Sequence, residues 1–147
     1  MPQENSDRAA PIAVRIVRIL GYFVFLAAFF LPAVREPGHQ DTFKGSFCAW
    51  ITLINTFNRE FWHSINFLAI LSGWINPLML LYVAFLFSRR LRAARRVIAT
   101  LIVLFIAATW VFFGQAHLAP LAGHFAWIAG IGMILLGELF APKRVAP

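Results

Sequence analysis

The sequence predicts an all-α integral membrane protein, a four-transmembrane-helix bundle with a short re-entrant or interfacial helix in its first outer loop. Its 147 residues are 61% hydrophobic, whereas soluble domains are typically about 45–50% apolar. Ten of the thirteen Lys and Arg residues fall into three clusters separated by long apolar stretches: Arg8, Arg15, Arg18; Arg89, Arg90, Arg92, Arg95, Arg96; Lys143, Arg144. Because basic residues collect at the cytoplasmic ends of spans, these clusters predict the orientation of the chain.

The first predicted span covers residues 12–34, after a cytoplasmic tail at residues 1–11. At about 1.5 Å per residue, this helix rises about 34 Å, enough for a hydrocarbon core of about 30 Å. Arg15 and Arg18 lie near its cytoplasmic end, where long side chains reach the headgroups. Pro32 and the following Pro37-Gly38 pair mark its outer end.

The outer loop at residues 35–60 contains a second apolar segment, residues 46–57, which is too short to span. As a helix it rises only about 18 Å. A crossing here would place the central basic cluster on the outer side, against the positive-inside rule. We therefore expect a re-entrant or interfacial helix with Trp50 at headgroup level, and a fifth span is the alternative.

The other predicted spans cover residues 61–88, 97–114 and 124–141, and residues 142–147 form a second cytoplasmic tail. The basic cluster at residues 89–96 lies between the second and third spans. Both termini are then cytoplasmic, and three basic and three acidic residues on the outer side cancel. The whole net charge of +7 falls on the cytoplasmic side, as the positive-inside rule requires.

Three of the four histidines fall at the outer ends of different spans, and two amides lie at similar depth: His63, His117, His124; Asn66, Gln115. Imidazoles from separate helices can bind a transition metal or a haem iron, and a quinone or proton-transfer site is an equal alternative. Each histidine can also be simply interfacial and hydrated. The sequence contains no ligand motif, so the identity of any cofactor stays open.

The second span contains a predicted helix break at Ser72, Asn76 and Pro77. A proline within a helix cannot donate the backbone hydrogen bond and crowds the preceding turn. Broken helices line ion or substrate sites in transporters, whereas Asn-Pro is also a common structural kink.

The central arginines predict contact with anionic lipid at the cytoplasmic face, namely Arg89, Arg90, Arg92, Arg95 and Arg96. Because topology and lipid explain this basic cluster, no nucleic-acid partner is expected. The last span carries small residues, which let another helix of this chain or of another subunit approach closely: Ala126, Gly130, Gly132, Gly137.

The sequence contains no phosphate-binding glycine loop, nucleophile elbow or His-Glu-x-x-His run, so a soluble-type enzyme is not indicated. The small, aromatic-rich spans with few polar groups predict a non-catalytic accessory or assembly subunit of a larger complex in a bacterial inner membrane. Other membrane subunits or further copies of this chain are the expected protein partners. A cofactor-binding redox or transport protein that uses the outer histidines is one alternative. A membrane immunity or regulatory protein is another.

Overall fold

A computed structural model describes residues 3–36, 38, 41–58, 62, 66–86, 88 and 91–139. These residues are mostly helical, as predicted, and three short strands accompany the helices. The helices are α1 (Gln3–Ala28), α2 (Gly45–Asn55), α3 (Asn66–Leu86), α4 (Arg92–Gln115) and α5 (Ala122–Leu139); the strands are β1 (Pro32–Arg35), β2 (Thr42–Lys44) and β3 (Ala119–Pro120).

Two of the described helices contain segments long and apolar enough to cross a membrane, Phe67–Leu86 in α3 and Arg92–Gln115 in α4. The α2 helix and the segment Ala122–Leu136 of α5 are shorter apolar helices. Helix α2 is 11 residues long, and it begins one residue before and ends two residues before the segment 46–57 that we expected to form a separate short helix.

The first helix begins and ends earlier than the sequence predicted. Helix α1 already includes residues 3–11, which we expected to form a tail, and it stops at Ala28. The chain then runs as strand β1 instead of continuing as helix to residue 34. Pro32 gives a physical reason, because a proline drives the residue before it, Leu31, out of helical geometry.

A three-stranded antiparallel sheet, in the order β2-β1-β3, was not predicted. Strand β1 pairs with β2 in a hairpin and with β3, which lies between α4 and α5. The amide of Leu121 also donates a hydrogen bond of 2.8 Å to the carbonyl of Ala33. These bonds bring the end of α1, the start of α2, the end of α4 and the start of α5 together, and we call this the sheet end of the molecule.

The helices pack mainly as two pairs, α1 with α5 and α3 with α4. The contact of α1 with α5 depends on glycine, because a Cβ atom on Gly130 would lie 2.6 Å from the backbone nitrogen of Phe25. Small residues at such a crossing let two helix backbones approach closely. The main buried cluster joins both pairs: Phe25, Ile75, Met79, Tyr82, Ile98, Ile102, Ile131 and Ile134.

Helix α3 stays helical through Ser72, Asn76 and Pro77. The prediction that the helix is interrupted at these residues is therefore wrong. A proline removes one donor from a helix, and neighbouring helices can support the affected turn. Helix α2 packs against α3 at this level, where a Cβ atom on Gly73 would lie 2.7 Å from Thr52 Oγ1.

Candidate functional site

A cavity of about 290 Å³ lies at the sheet end, between the helices and the strands β1 and β2. All five described helices contribute lining residues, and the lining is mostly apolar. Small-molecule sites in proteins have this composition, with apolar walls and a few polar groups that orient the ligand. The cavity is therefore the candidate site in the described part of the chain.

Close backbone contacts set the positions of the cavity walls. A Cβ atom on Gly45 would lie 2.6 Å from the carbonyl oxygen of Ala28, at the end of α1. A Cβ atom on Gly123 would lie 2.8 Å from the carbonyl oxygen of Pro32. Helices α2 and α5 thus both begin directly against the chain that leaves α1, and a larger residue at either glycine would force the walls apart.

Two threonines in the lining have already used their hydroxyl hydrogens. Thr52 Oγ1 donates to the carbonyl of Cys48 at 2.8 Å, and Thr109 Oγ1 donates to the carbonyl of Phe105 at 2.8 Å. A hydroxyl group has one donor hydrogen and two acceptor lone pairs. What these threonines can still offer to a bound molecule is therefore acceptor capacity.

An interhelical hydrogen bond crosses the cavity wall between α3 and α5. Trp127 Nε1 donates to Asn76 Oδ1 at 3.0 Å, and both residues line the cavity. The bond gives the part-buried indole N–H a partner, which tryptophans removed from water usually need. Asn76, which the sequence placed at a helix break, thus joins two helices, and Ser72 lines the same cavity.

His124 is the buried imidazole of the site. It lies in the first turn of α5, is 5% exposed and lines the cavity. Its ring centroid is 4.7 Å from that of Phe113, 5.4 Å from Trp110 and 5.7 Å from Trp127. Its Nε2 atom is buried and makes no hydrogen bond to any described residue. A buried polar atom without a partner costs about 1–3 kcal/mol, and Nε2 is covered by protein atoms, so it is not open to a molecule in the cavity.

Cys48 lines the cavity from α2, which is too short to span a membrane. Burial raises the pKa of its thiol to about 11. Since the thiolate is the reactive form of cysteine, Cys48 is a weak nucleophile at neutral pH and serves as part of the wall.

Two other residues predicted at the outer face, His117 and Gln115, lie exposed at or just after the end of α4. His117 is exposed and has a φ of +54°, and Leu118 N donates to the carbonyl of Phe113 at 3.0 Å across it. This is the geometry of a residue that ends a helix in a left-handed conformation. Gln115 is exposed at the last residue of α4.

The structure describes only some of the residues of the predicted histidine cluster. His63 lies outside the described residues, and Asn66 begins α3 with a side chain that is not described. Among the described residues there is no group of three or more His, Cys, Asp or Glu side chains arranged to hold a metal ion. Of the predicted histidines, the structure brings His124 into the cavity and leaves the side chain of His117 exposed.

The predicted packing glycines have unequal surroundings. Gly130 lies against the backbone of α1, whereas a Cβ atom on Gly132 would meet nothing within 4 Å. Ala126 is half-buried in α5, and Gly137 lies near the end of α5 with its burial not described.

Three of the predicted lipid-contact arginines, Arg92, Arg95 and Arg96, lie at the start of α4. Arg92 and Arg96 are exposed, and Arg95 Nη1 donates to the carbonyl of Leu86 at 3.5 Å. Arg89 and Arg90 lie outside the described residues. Pro77 is half-buried within α3.

Sequence reasoning missed Thr52, Cys48, Thr109 and Trp127 as cavity residues. Thr109 was the easiest of these to predict, because it is a polar residue in the apolar stretch from Leu101 to Phe113 of α4. Nothing in the sequence around Trp127 pointed to the cavity, because its hydrogen-bond partner Asn76 lies 51 residues away along the chain.

No protein-family model matches this chain, and neither the curated proteins nor the solved structures provide a significant match.

Proposed function

We propose that this chain is a multi-pass membrane protein that binds a small, mostly apolar molecule in the cavity at the sheet end. The observation that supports this proposal best is the lining of the cavity, which is mostly apolar and includes a few polar residues, among them Ser72, Asn76 and His124. Apolar walls supply binding free energy, and a few fixed polar atoms supply orientation. The proposed role is binding without catalysis. Of the functions that the sequence suggested, it is nearest to the cofactor-binding or transport protein.

The exposed side chains support a membrane location for α1 as well as for α3 and α4. Helix α1 presents large apolar side chains over much of its length, including Ile16, Phe23 at 66% exposure and Leu26. Contiguous apolar surface of this kind marks a contact with membrane or protein. Helix α5 has 18 residues, which rise about 27 Å. We propose that α1, α3, α4 and α5 all cross the bilayer.

The charge distribution supports one orientation of these four crossings. Among the described residues, the sheet end carries Arg35 and Lys44 against Glu36 and Asp41, whereas Arg92, Arg95 and Arg96 lie at the opposite end, at the start of α4. Basic residues favour the cytoplasmic side. We therefore propose that the sheet end faces outward and that both termini are cytoplasmic. The bacterial inner membrane expected from the sequence is the membrane that we propose for this arrangement.

A cavity-filling variant tests the binding proposal. The full chain is purified in lipid nanodiscs, and the extracted small molecules are identified by mass spectrometry. The test variant is Ala69→Phe, because Ala69 lines the cavity. The control is Ala84→Phe, on an exposed position of the same helix. We expect a molecule that wild type and A84F retain and A69F loses. An identical set of molecules in all three preparations contradicts the proposal.

A second candidate function is the accessory or assembly subunit predicted from the sequence. Gly132 favours it, because the position beside this residue is open and a helix of another subunit can approach there. An immunity or regulatory role would use a similar helix contact. If this candidate is correct, Gly132→Leu reduces co-purification of another membrane protein, whereas Gly114→Leu, at another open glycine, does not. Equal co-purification by both variants contradicts it.

A further inference from the structure

We infer that the molecule bound in the cavity is a single-chain lipid, one linear hydrocarbon chain with a polar end, and that it enters sideways from the outer leaflet of the membrane. This inference rests on the proposed binding function and specifies the class of the ligand and its route. Three properties of the cavity carry it, namely the position of its most exposed wall, the closure of its sheet side, and its size and shape.

The mouth of the cavity lies beside α2. Phe47 and Ile51 are the most exposed side chains of the lining, at 47% and 41%, and the other lining residues are half-buried or buried. Trp50 and Ile54 continue this exposed surface of α2, and the helix contains no charged residue. Exposed apolar surface of this kind marks a contact with membrane or protein. We therefore place the mouth against the hydrocarbon of the outer leaflet.

Backbone hydrogen bonds close the sheet side of the cavity. Ala33 and Val34 of β1 line the cavity and are buried. The amide of Gly45 donates to the carbonyl of Leu31 at 3.1 Å, and the amide of Leu121 donates to the carbonyl of Ala33 at 2.8 Å. A water-soluble molecule that entered here would have to separate these bonds. A lipid-soluble molecule reaches the mouth at α2 by diffusion within the bilayer.

The volume limits the ligand to one chain. An apolar cavity of about 150 Å³ in another protein encloses benzene, a molecule of six carbons. The cavity here has about 290 Å³, so on the same scale it holds about twelve carbons. The second chain of a two-chain lipid would remain outside and make no dispersion contacts with the cavity walls. A single-chain lipid fits without such a remainder.

The shape of the cavity favours a linear chain. Lining positions extend over residues 48–55 of α2 and residues 69–76 of α3, and such a stretch of helix rises about 10 Å. The two helices also approach closely, because a Cβ atom on Gly73 would lie 2.7 Å from Thr52 Oγ1. A linear chain keeps contact along both walls of a long, narrow space. A compact ring system of equal volume leaves the ends of that space without contact, which forfeits dispersion energy.

Quenching of Trp127 fluorescence tests this inference, because Trp127 lines the cavity. The full chain is placed in nanodiscs after the other tryptophans, Trp50, Trp62, Trp74 and Trp110, are replaced by phenylalanine. The probe is 12-bromododecanoic acid, whose terminal bromine quenches a tryptophan that it contacts. Iodide serves as the water-soluble quencher. We expect the brominated chain to remove most of the Trp127 fluorescence and iodide to remove little of it.

Cavity-filling variants show whether the brominated chain lies inside the cavity. Ala69→Phe and Ala49→Leu, from α3 and α2, each fill part of the lining and should restore the fluorescence of Trp127. Ala84→Phe, at an exposed position of α3, should leave the quenching unchanged. A second reporter keeps only Trp110, which is 42% exposed and lies outside the lining. Its quenching should be the same in all three variants. Thermal unfolding establishes that each variant is folded, and A49L decides the result if A69F is not.

Matched competitors distinguish a linear chain from a ring and one chain from two. Dodecanol should displace the brominated probe and restore Trp127 fluorescence, whereas cyclododecanol, with the same number of carbons, should not at the same mole fraction in the bilayer. In nanodiscs made of phosphatidylcholine with brominated chains and no added probe, Trp110 should be quenched. Any quenching of Trp127 there should not respond to the cavity-filling variants.

Four results would overturn the inference. Strong quenching of Trp127 by iodide contradicts entry from the bilayer, and equal displacement by cyclododecanol contradicts the linear chain. Quenching by brominated phosphatidylcholine that the cavity-filling variants relieve contradicts the single-chain class. The fourth result is equal quenching of Trp127 in the cavity-filling variants and A84F, which places the chain outside the cavity. If A69F still loses a co-purifying molecule in that case, the proposed function stands and only the ligand class is wrong. If no such molecule exists, both fail.

Discussion

Trp127 Nε1 donates a hydrogen bond of 3.0 Å to Asn76 Oδ1, and this bond fastens α5 to α3 beside the cavity. The same wall contains His124, whose ring centroid lies 5.7 Å from that of Trp127. The bond therefore holds the indole in the position where it packs against the imidazole. Loss of the bond should affect both the stability of the bundle and the shape of the site.

The first prediction concerns this bond. Trp127→Phe leaves Asn76 Oδ1 without its indole donor, so we expect a destabilisation from this bond of about 0.6 kcal/mol and at most about 1.7 kcal/mol, the average and the maximum measured for hydrogen bonds between membrane helices. A double-mutant cycle with Asn76→Leu, read by unfolding in mixed micelles, gives the coupling energy. Trp74→Phe, at an exposed tryptophan on α3, serves as the control. Additive effects of W127F and N76L would show that the bond contributes nothing.

The second prediction compares two glycines of α5. Gly130→Ala places a Cβ atom 2.6 Å from the backbone nitrogen of Phe25, and backbone cannot move aside as a flexible side chain can. We expect a loss of about 1–3 kcal/mol in the free energy of unfolding, as for other overpacked interiors. Gly132→Ala meets no atom within 4 Å and should be neutral or slightly stabilising, because alanine favours helix. Equal melting temperatures of the two variants would contradict the described α1–α5 contact.

The third prediction concerns His117, whose φ of +54° is unfavourable for a residue with a Cβ atom. We expect His117→Gly to raise the free energy of unfolding by about 0.5–1 kcal/mol, since glycine adopts this conformation readily at helix ends. His117→Ala keeps a Cβ atom and should show no such gain. The measurement is thermal unfolding of both variants. A destabilised H117G variant would mean that the imidazole makes a contact whose stabilisation exceeds the cost of the backbone strain at His117.

The fourth prediction concerns the orientation in the membrane. In a Cys48→Ala background, Lys44→Cys and His117→Cys should react with a membrane-impermeant maleimide from the outer side, because both positions are exposed at the sheet end. Ala93→Cys, exposed at the start of α4, should react only after the membrane is opened. Outer labelling of Ala93→Cys would contradict the proposed orientation.

Charge and hydrophobic patterning were enough to predict a mostly helical chain with long apolar helices between basic clusters. The short helix α2 was also predictable, because its apolar segment is too short to be a span and polar, turn-forming residues precede it. These are local properties, determined by residues that neighbour one another in the sequence. Helix ends were less predictable, as at Ala28, where the backbone leaves the helix before Pro32 although the following side chains are still apolar.

The sequence by itself determined which residues are available for a site, and it singled out His124 and Asn76 among a few polar groups in apolar segments. It could not distinguish His124 from His117, because both lie near the ends of apolar segments. Only the tertiary structure buried the first among aromatic rings and left the second exposed at a helix end. The pairing of strands β1, β2 and β3, the Trp127–Asn76 bond and the cavity all depend on contacts between distant parts of the chain. Such contacts are set by how helices pack and not by local pattern, which is why the site emerged only from the fold.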